Sequence, residues 1–201
     1  MTRTLARTFS RRAAVLAVAL GAGVAGAWLA GPATGTEAAA AAAAAKKRYY
    51  VEIEVAKDKT GGDKAFSEQV VKAVAEELKG KPIFVVAAPG DGAPAASDEA
   101  ARTAWLKDKG LTGLSLQLTL EKLTEKKDKE KDHLTLTFEM RALLITRPGG
   151  WMIVSTNGIG ESDGYARKPV LESAVAGAAA GAAENLAAHL AKKPVEDKPK
   201  H

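Results

Sequence analysis

The chain contains no cysteine. That excludes a disulfide framework, a thiolate metal site, a cysteine nucleophile and the acylated cysteine of a bacterial lipoprotein. Histidine is almost as scarce. His133, His189 and His201 stand far apart, and none has the carboxylate or histidine spacing of a zinc or iron site, so no metal is expected. There is no G-x-S-x-G, and no Walker loop with its Lys-Ser/Thr pair. Gly158, Gly160 and Gly164 follow an apolar stretch, but their spacing is not that of a dinucleotide-binding loop; they are expected to form a flexible connection. No cofactor is implied. The acids that do cluster, between residues 121 and 132, alternate with lysines, as a solvated loop does rather than an acid–base pair.

Charge of one sign is also scarce once the N-terminus is set aside. Of 29 basic and 24 acidic residues, four arginines and Glu37 fall within residues 1–40, leaving 25 against 23. The basic balance therefore belongs largely to those forty residues and does not indicate nucleic-acid binding. Arg3, Arg7, Arg11 and Arg12 precede an uncharged apolar run from Ala13 to Ala30, then Gly31-Pro32 and small residues. This is the layout of an export signal over residues 1–40. Ser10-Arg11-Arg12 resembles the twin-arginine export motif, with Ala14 where a larger apolar residue is usual. The twin-arginine and general secretory routes both fit. Ala25-Gly-Ala27 and several triplets between Ala38 and Ala45 satisfy the small-x-small cleavage rule. Left uncleaved, the run would be a short anchor, since spanning takes roughly 17–25 residues. The expected location is periplasmic or secreted.

Residues 41–48 form an alanine-rich spacer, and one domain is expected over residues 49–191. Tyr49, Val51, Ile53 and Val55 alternate with Glu52 and Glu54, predicting a half-exposed strand. Asp63 is placed to cap a helix in which Phe66, Val70, Val74 and Leu78 recur every four residues, ended by Gly80 and Pro82. Ile83-Phe-Val-Val86 predicts a strand buried on both faces, joined to the first by a parallel crossover. After a loop over Pro89–Ala96, a short helix starts at Ser97-Asp-Glu99, with Ala101, Ala104, Trp105 and Leu106 as its apolar positions.

The most ordered pattern follows. Leu114, Leu116, Leu118 and Leu120 alternate with polar residues, and so do Leu134, Leu136, Phe138 and Met140. Each run gives a strand one apolar and one polar face. Thr124–Asp132, without an apolar residue, is expected as a solvated hairpin tip. Arg147-Pro-Gly-Gly150 predicts a tight turn before a third strand at Trp151–Val154. The three strands form an antiparallel meander with its leucine face inward. Pro169 opens a last helix to about Ala191, with a stripe of Leu171, Val175, Ala178 or Ala179, Ala182, Leu186 and Leu190. Gly177 and Gly181 let it approach a sheet closely. Residues 192–201 are expected to be a disordered tail. The predicted fold is α/β (α+β): a mixed sheet of about five strands, with a β-α-β start, an antiparallel meander, a C-terminal helix and helices mainly on one face.

The candidate interaction residues are Trp105, Trp151, Tyr165 and Arg167, because aromatics and arginine dominate binding hot spots. For Trp105, in an amphipathic helix, and Trp151, at a strand start, core packing is the competing expectation.

The order of elements is similar to that of the exported anticodon-binding-domain-like modules of the CsgG, LpoB and TolB N-terminal type. The likeness runs from the strand at Tyr49–Val55 through the helix Phe66–Leu78 and the strand Ile83–Val86. It continues with Leu106-Lys-Asp-Lys-Gly110 leading into Leu111-Thr-Gly-Leu114, a charged hairpin, Ala142-Leu-Leu-Ile145 and an alanine-rich helix. The resemblance implies a non-enzymatic module that binds other envelope proteins or oligomerises; no site residue carries over. The sequence thus leads to an exported, non-enzymatic cell-envelope binding or assembly module. Its partner would be an envelope protein or itself, with no nucleic acid, and with a membrane met only through an uncleaved signal. The competing class is a periplasmic hydrolase or ligand-binding enzyme whose site is assembled from scattered residues.

Overall fold

A computed structural model describes residues 47–128 and 132–196. The predicted export signal, with Ser10, Arg11 and Arg12, and the expected spacer up to residue 46 lie outside the described residues. The elements run β1 (Arg48–Asp58), α1 (Lys64–Lys79), β2 (Phe84–Val86), α2 (Glu99–Asp108), β3 (Leu111–Asp128), β4 (His133–Arg147), β5 (Met152–Gly164) and α3 (Arg167–Lys192). The sheet order is β2-β1-β3-β4-β5. β1 is parallel to both β2 and β3, and β3, β4 and β5 are antiparallel in turn. The mixed five-stranded α/β architecture is the one the alternation predicts.

One face of the sheet carries Val51, the even-numbered leucines from 114 to 120, and Leu134, Leu136, Phe138, Met140 and Ala142. α1 and α3 cover it. α1 buries Phe66, Val70, Val74 and Leu78, and the Asp63 carboxylate accepts from the Phe66 amide at 2.8 Å, as its position predicts. α3 buries mostly small residues, including Ala174, Ala178, Ala179, Ala182 and Ala183, together with Leu186 and Leu190. α2 lies on the opposite face, where it meets Tyr50. Among the described residues, no helix is long and apolar enough to cross a membrane.

Several expectations are corrected. Gly158, Gly160 and Gly164 are not a flexible connection; they are residues of β5, paired with Met140, Phe138 and Leu134. A side chain at Gly158 or Gly160 would strike the α3 backbone, so these glycines set how closely helix and strand approach. Thr124–Asp128 is not hairpin tip but strand, because Leu134 and Leu136 need a partner. Glu125 lies opposite Leu136 and Lys127 opposite Leu134. A bulge between Leu120 and Lys122 shifts the phase there, so the inward residue after Leu120 is Leu123. β2 is a short edge strand with Phe84 buried and Val85 and Val86 half-buried, rather than buried on both faces. In α2 the buried positions are Arg102 and Leu106, while Ala101 and Ala104 are exposed. The segment after α3 does not begin as a disordered tail. Val195 packs against the core, its amide donates to the Tyr49 hydroxyl at 3.3 Å, and its carbonyl accepts from Lys47 Nζ.

Candidate functional site

The sheet face away from α1 and α3 is where function has room. At its centre the odd-numbered residues of β3 point outward, so Ser115 and Gln117 lie beside Glu54 of β1. Gln117 Nε2 donates to Glu54 at 2.9 Å. Arg147, at the end of β4, approaches the same carboxylate at 4.0 Å.

α2 closes one end of this face through a polar cluster. The Tyr50 hydroxyl donates to Asp91 at 2.7 Å, and Asp91 also accepts from the Ala88 and Ala93 amides at 3.1 and 2.9 Å. Arg102 donates to Glu52 and lies 5.7 Å from the Tyr50 ring centre. Burial, then the Asp91 bond and charge, push Tyr50 up to about 12. The Tyr50 hydrogen bond and the two amides hold Asp91 below the usual carboxylate range. Each group in the cluster has its partner within the chain. The cluster fastens α2 and the preceding loop to the sheet.

Between α2 and the turn after β4 lies an open groove of about 230 Å³, lined by residues that include Glu99, Ser115, Gln117, Ile145 and Arg147. This is below the roughly 300–1,000 Å³ of ligand pockets. Among the described residues, no group of three His, Asp or Glu could hold a metal ion.

The exposed large apolar side chains follow β5. Trp151 is 71% exposed, Met152 69%, Ile159 64% and Tyr165 79%. Trp151 does not pack in the core. The Trp151 amide donates to Thr146 Oγ1 at 3.0 Å and its carbonyl accepts from the Thr146 amide at 2.9 Å, which fixes the residue at the turn after β4 with its indole exposed. Trp105 is half-buried, edge-on to Tyr50 at 5.2 Å. Tyr165 meets His133 edge-on at 5.3 Å, and Arg167 pairs with Glu125 at 3.0 Å. The four predicted interaction residues are therefore not one cluster. Trp105 and Trp151 stand at the Gly113–Arg147 end of the sheet, whereas Tyr165 and Arg167 stand at the other end of β5. Sequence reasoning missed Met152 and Ile159. The signal for Ile159 was its place between Gly158 and Gly160, since glycines two apart on an inward face turn the residue between them outward.

No family model matches the chain, and no curated protein does. Its fold is similar to solved structures of low identity. They include the PelC dodecamer from Paraburkholderia phytofirmans, with 15% identity, a TM-score of 0.43, and 68% of this chain and 86% of that one covered. The hypothetical protein CT253 from Chlamydia trachomatis has 7% identity, a TM-score of 0.46, and 73% and 99% covered. Lipoprotein GNA1162 from Neisseria meningitidis has 13% identity, a TM-score of 0.39, and 61% and 90% covered. At these identities, function has to be argued from the chain's own residues.

Proposed function

We propose that this chain is an exported, non-enzymatic module of the bacterial cell envelope that acts by binding a protein partner along β5. The observation that carries the reading is the edge of the sheet at β5, which pairs with no second strand among the described residues. β5 is 13 residues long and its one described neighbour is β4. Such an edge presents free backbone donors and acceptors, and proteins that leave one idle commonly guard it with lysine, proline or a covering segment. β5 contains neither lysine nor proline, and its two acids, Glu161 and Asp163, come near its end. Met152 and Ile159 offer apolar side chains beside the open backbone. An extended segment of a partner, or of a second copy, would add as a sixth strand. The export-signal layout read in residues 1–40 supports an encounter outside the cytoplasm. The self-satisfied polar cluster at Tyr50 and the small groove support a binding role over catalysis.

The test replaces Ile159 with lysine. Ile159 is exposed, so the melting temperature should stay within about 2 °C of the parent, since surface substitutions cost little. Capture of a partner from periplasmic extract, or self-association measured by light scattering, should be lost. Retention of both by Ile159→Lys would remove β5 as the binding edge.

A further inference from the structure

The topology gathers cations at one end of the molecule. β1, β2 and β3 are parallel and start at the same end, with Tyr49 opposite Phe84 and Arg48 opposite Leu111. A helix that precedes a parallel strand must therefore end there, and so does α3, whose following residues reach Tyr49. Helix C-termini favour cations, because their exposed carbonyls carry partial negative charge. The chain places exposed Lys107, Lys109, Lys192 and Lys193 at two of these termini, and adds Arg48 at the start of β1 and half-buried Lys81 before β2. The acids at this end are Glu76, 2.8 Å from Lys79, and Asp108, 4.0 Å from Lys109, with Glu77 and Glu196 nearby in sequence; on the α2 side they are Asp91, bonded to Tyr50, Glu54, 4.0 Å from Arg147, and Glu99, which lines the groove with Arg147. The far end mixes signs, with Asp58, Asp128 and Asp163 beside Lys59, Lys127 and Arg167.

Two further observations fall on the cationic end. The turn after β4 lies there, since Arg147 is opposite Gly113, and this turn carries the exposed Trp151 and Met152. The first described residue, Lys47, also lies there, its Nζ donating to the Val195 carbonyl. Tryptophan settles at the boundary between headgroups and acyl chains, and basic residues add attraction to anionic headgroups.

We propose that the cationic end, with Trp151 at its tip, seats the domain on an anionic phospholipid surface. The seating does not depend on the β5 edge, and Ile159→Lys should leave it intact. The sheet then stands on the membrane and the Asp128–His133 end of the β3–β4 hairpin points away from it. Each cation near such a surface is worth about fivefold in partitioning.

The full chain is used, with Trp28→Phe and Trp105→Phe leaving Trp151 as the single indole. With phosphatidylglycerol vesicles, Trp151 emission should shift to the blue and be quenched by bromine placed on the acyl chains. With phosphatidylcholine vesicles neither should occur. Lys107→Glu, Lys109→Glu, Lys192→Glu and Lys193→Glu together, or 0.5 M salt should that variant not fold, should weaken the Trp151 response about a hundredfold or more. A chain that sediments with vesicles while Trp151 stays unquenched is held by its apolar run alone, which overturns the proposal. An equal response to soluble polyphosphate, with no lipid quenching, assigns the end to a polyanion and overturns it too.

Discussion

A β-carbon built on Gly160 would lie 1.9 Å from the carbonyl oxygen of Ala174 in α3. One turn further along the helix, a β-carbon on Gly158 would lie 2.2 Å from the Ala178 oxygen. The obstruction is backbone, which cannot swing aside as a side chain can. Gly160→Ala must push α3 off β5, loosening the packing that buries Ala174, Ala178 and Ala182. The expected loss is about 3 kcal/mol or more, at the upper end of overpacking costs. Gly181, expected with Gly177 to permit the close approach, takes no part in it: nothing lies within 4 Å of the point where its β-carbon would stand, whereas at Gly177 the Gly160 Cα lies at 3.4 Å. Gly181→Ala should therefore stabilise by about 1 kcal/mol through helix propensity. Denaturant midpoints of the two variants, moving in opposite directions, check the close approach.

This contact also marks the limit of what the sequence could tell. The leucine alternations in β3 and β4, the four-residue period of α1 and the Asp63 cap state their own geometry, and the structure follows them. A glycine in a strand states nothing until its neighbour is known, so Gly158 and Gly160 looked like a loop. Trp151 looked like core because it begins an apolar stretch, but its hydrogen bonds to Thr146 hold it in the turn instead. Of the candidate surface, the aromatic residues were legible. Their separation to two ends of the sheet was not, because it depends on β5 running unbroken from Met152 to Gly164 through three glycines.

Tyr50 gives a pH prediction. Its folded pKa of about 12 exceeds the unfolded value of 10, so the folded state holds the phenol proton more tightly. The stabilisation is complete below pH 10 and is lost as pH rises from about 10 to 12. Tyr50→Phe removes the titrating group and leaves Asp91 without its shortest hydrogen bond, at a cost of about 1–2 kcal/mol near neutral pH. Melting temperatures taken across that window should fall less steeply in Tyr50→Phe than in the parent. Parallel curves would mean that the Tyr50 hydroxyl is not the buried partner of Asp91.

Export offers a test outside the folded domain. Arg11→Lys with Arg12→Lys should retain a twin-arginine substrate in the cytoplasm, whereas a substrate of the general secretory route tolerates the change. Fractionation of cells expressing the double variant separates the two. Unchanged distribution removes the twin-arginine assignment and leaves the export signal in place.

The bulge at Glu121 makes the last prediction, by way of two single-residue deletions. Strand side chains alternate, so removing one residue from a regular stretch sends every later side chain to the wrong face. Glu121 is the extra residue between Leu120, opposite Met140, and Lys122, opposite Glu139. Deleting it lets Leu120, Lys122 and Leu123 run as a regular ladder against Met140, Glu139 and Phe138, with Leu123 still facing the core. The deletion removes the surface ion pairs that Glu121 makes with Lys59 and Arg141. The variant should fold, with a melting temperature lowered by no more than about 5 °C. Deleting Gln117 instead breaks a regular stretch. If Leu118 and Leu120 keep their partners, the leucines before the gap turn outward; if Leu114 and Leu116 keep theirs, the later ones do. Two or more large apolar side chains leave the core either way, each worth about 1.5–3 kcal/mol, which is enough to unfold a domain of this size. Far-ultraviolet circular dichroism and thermal melts of the two variants decide the matter. A folded Gln117 deletion beside an unfolded Glu121 deletion would place the phase shift elsewhere in β3.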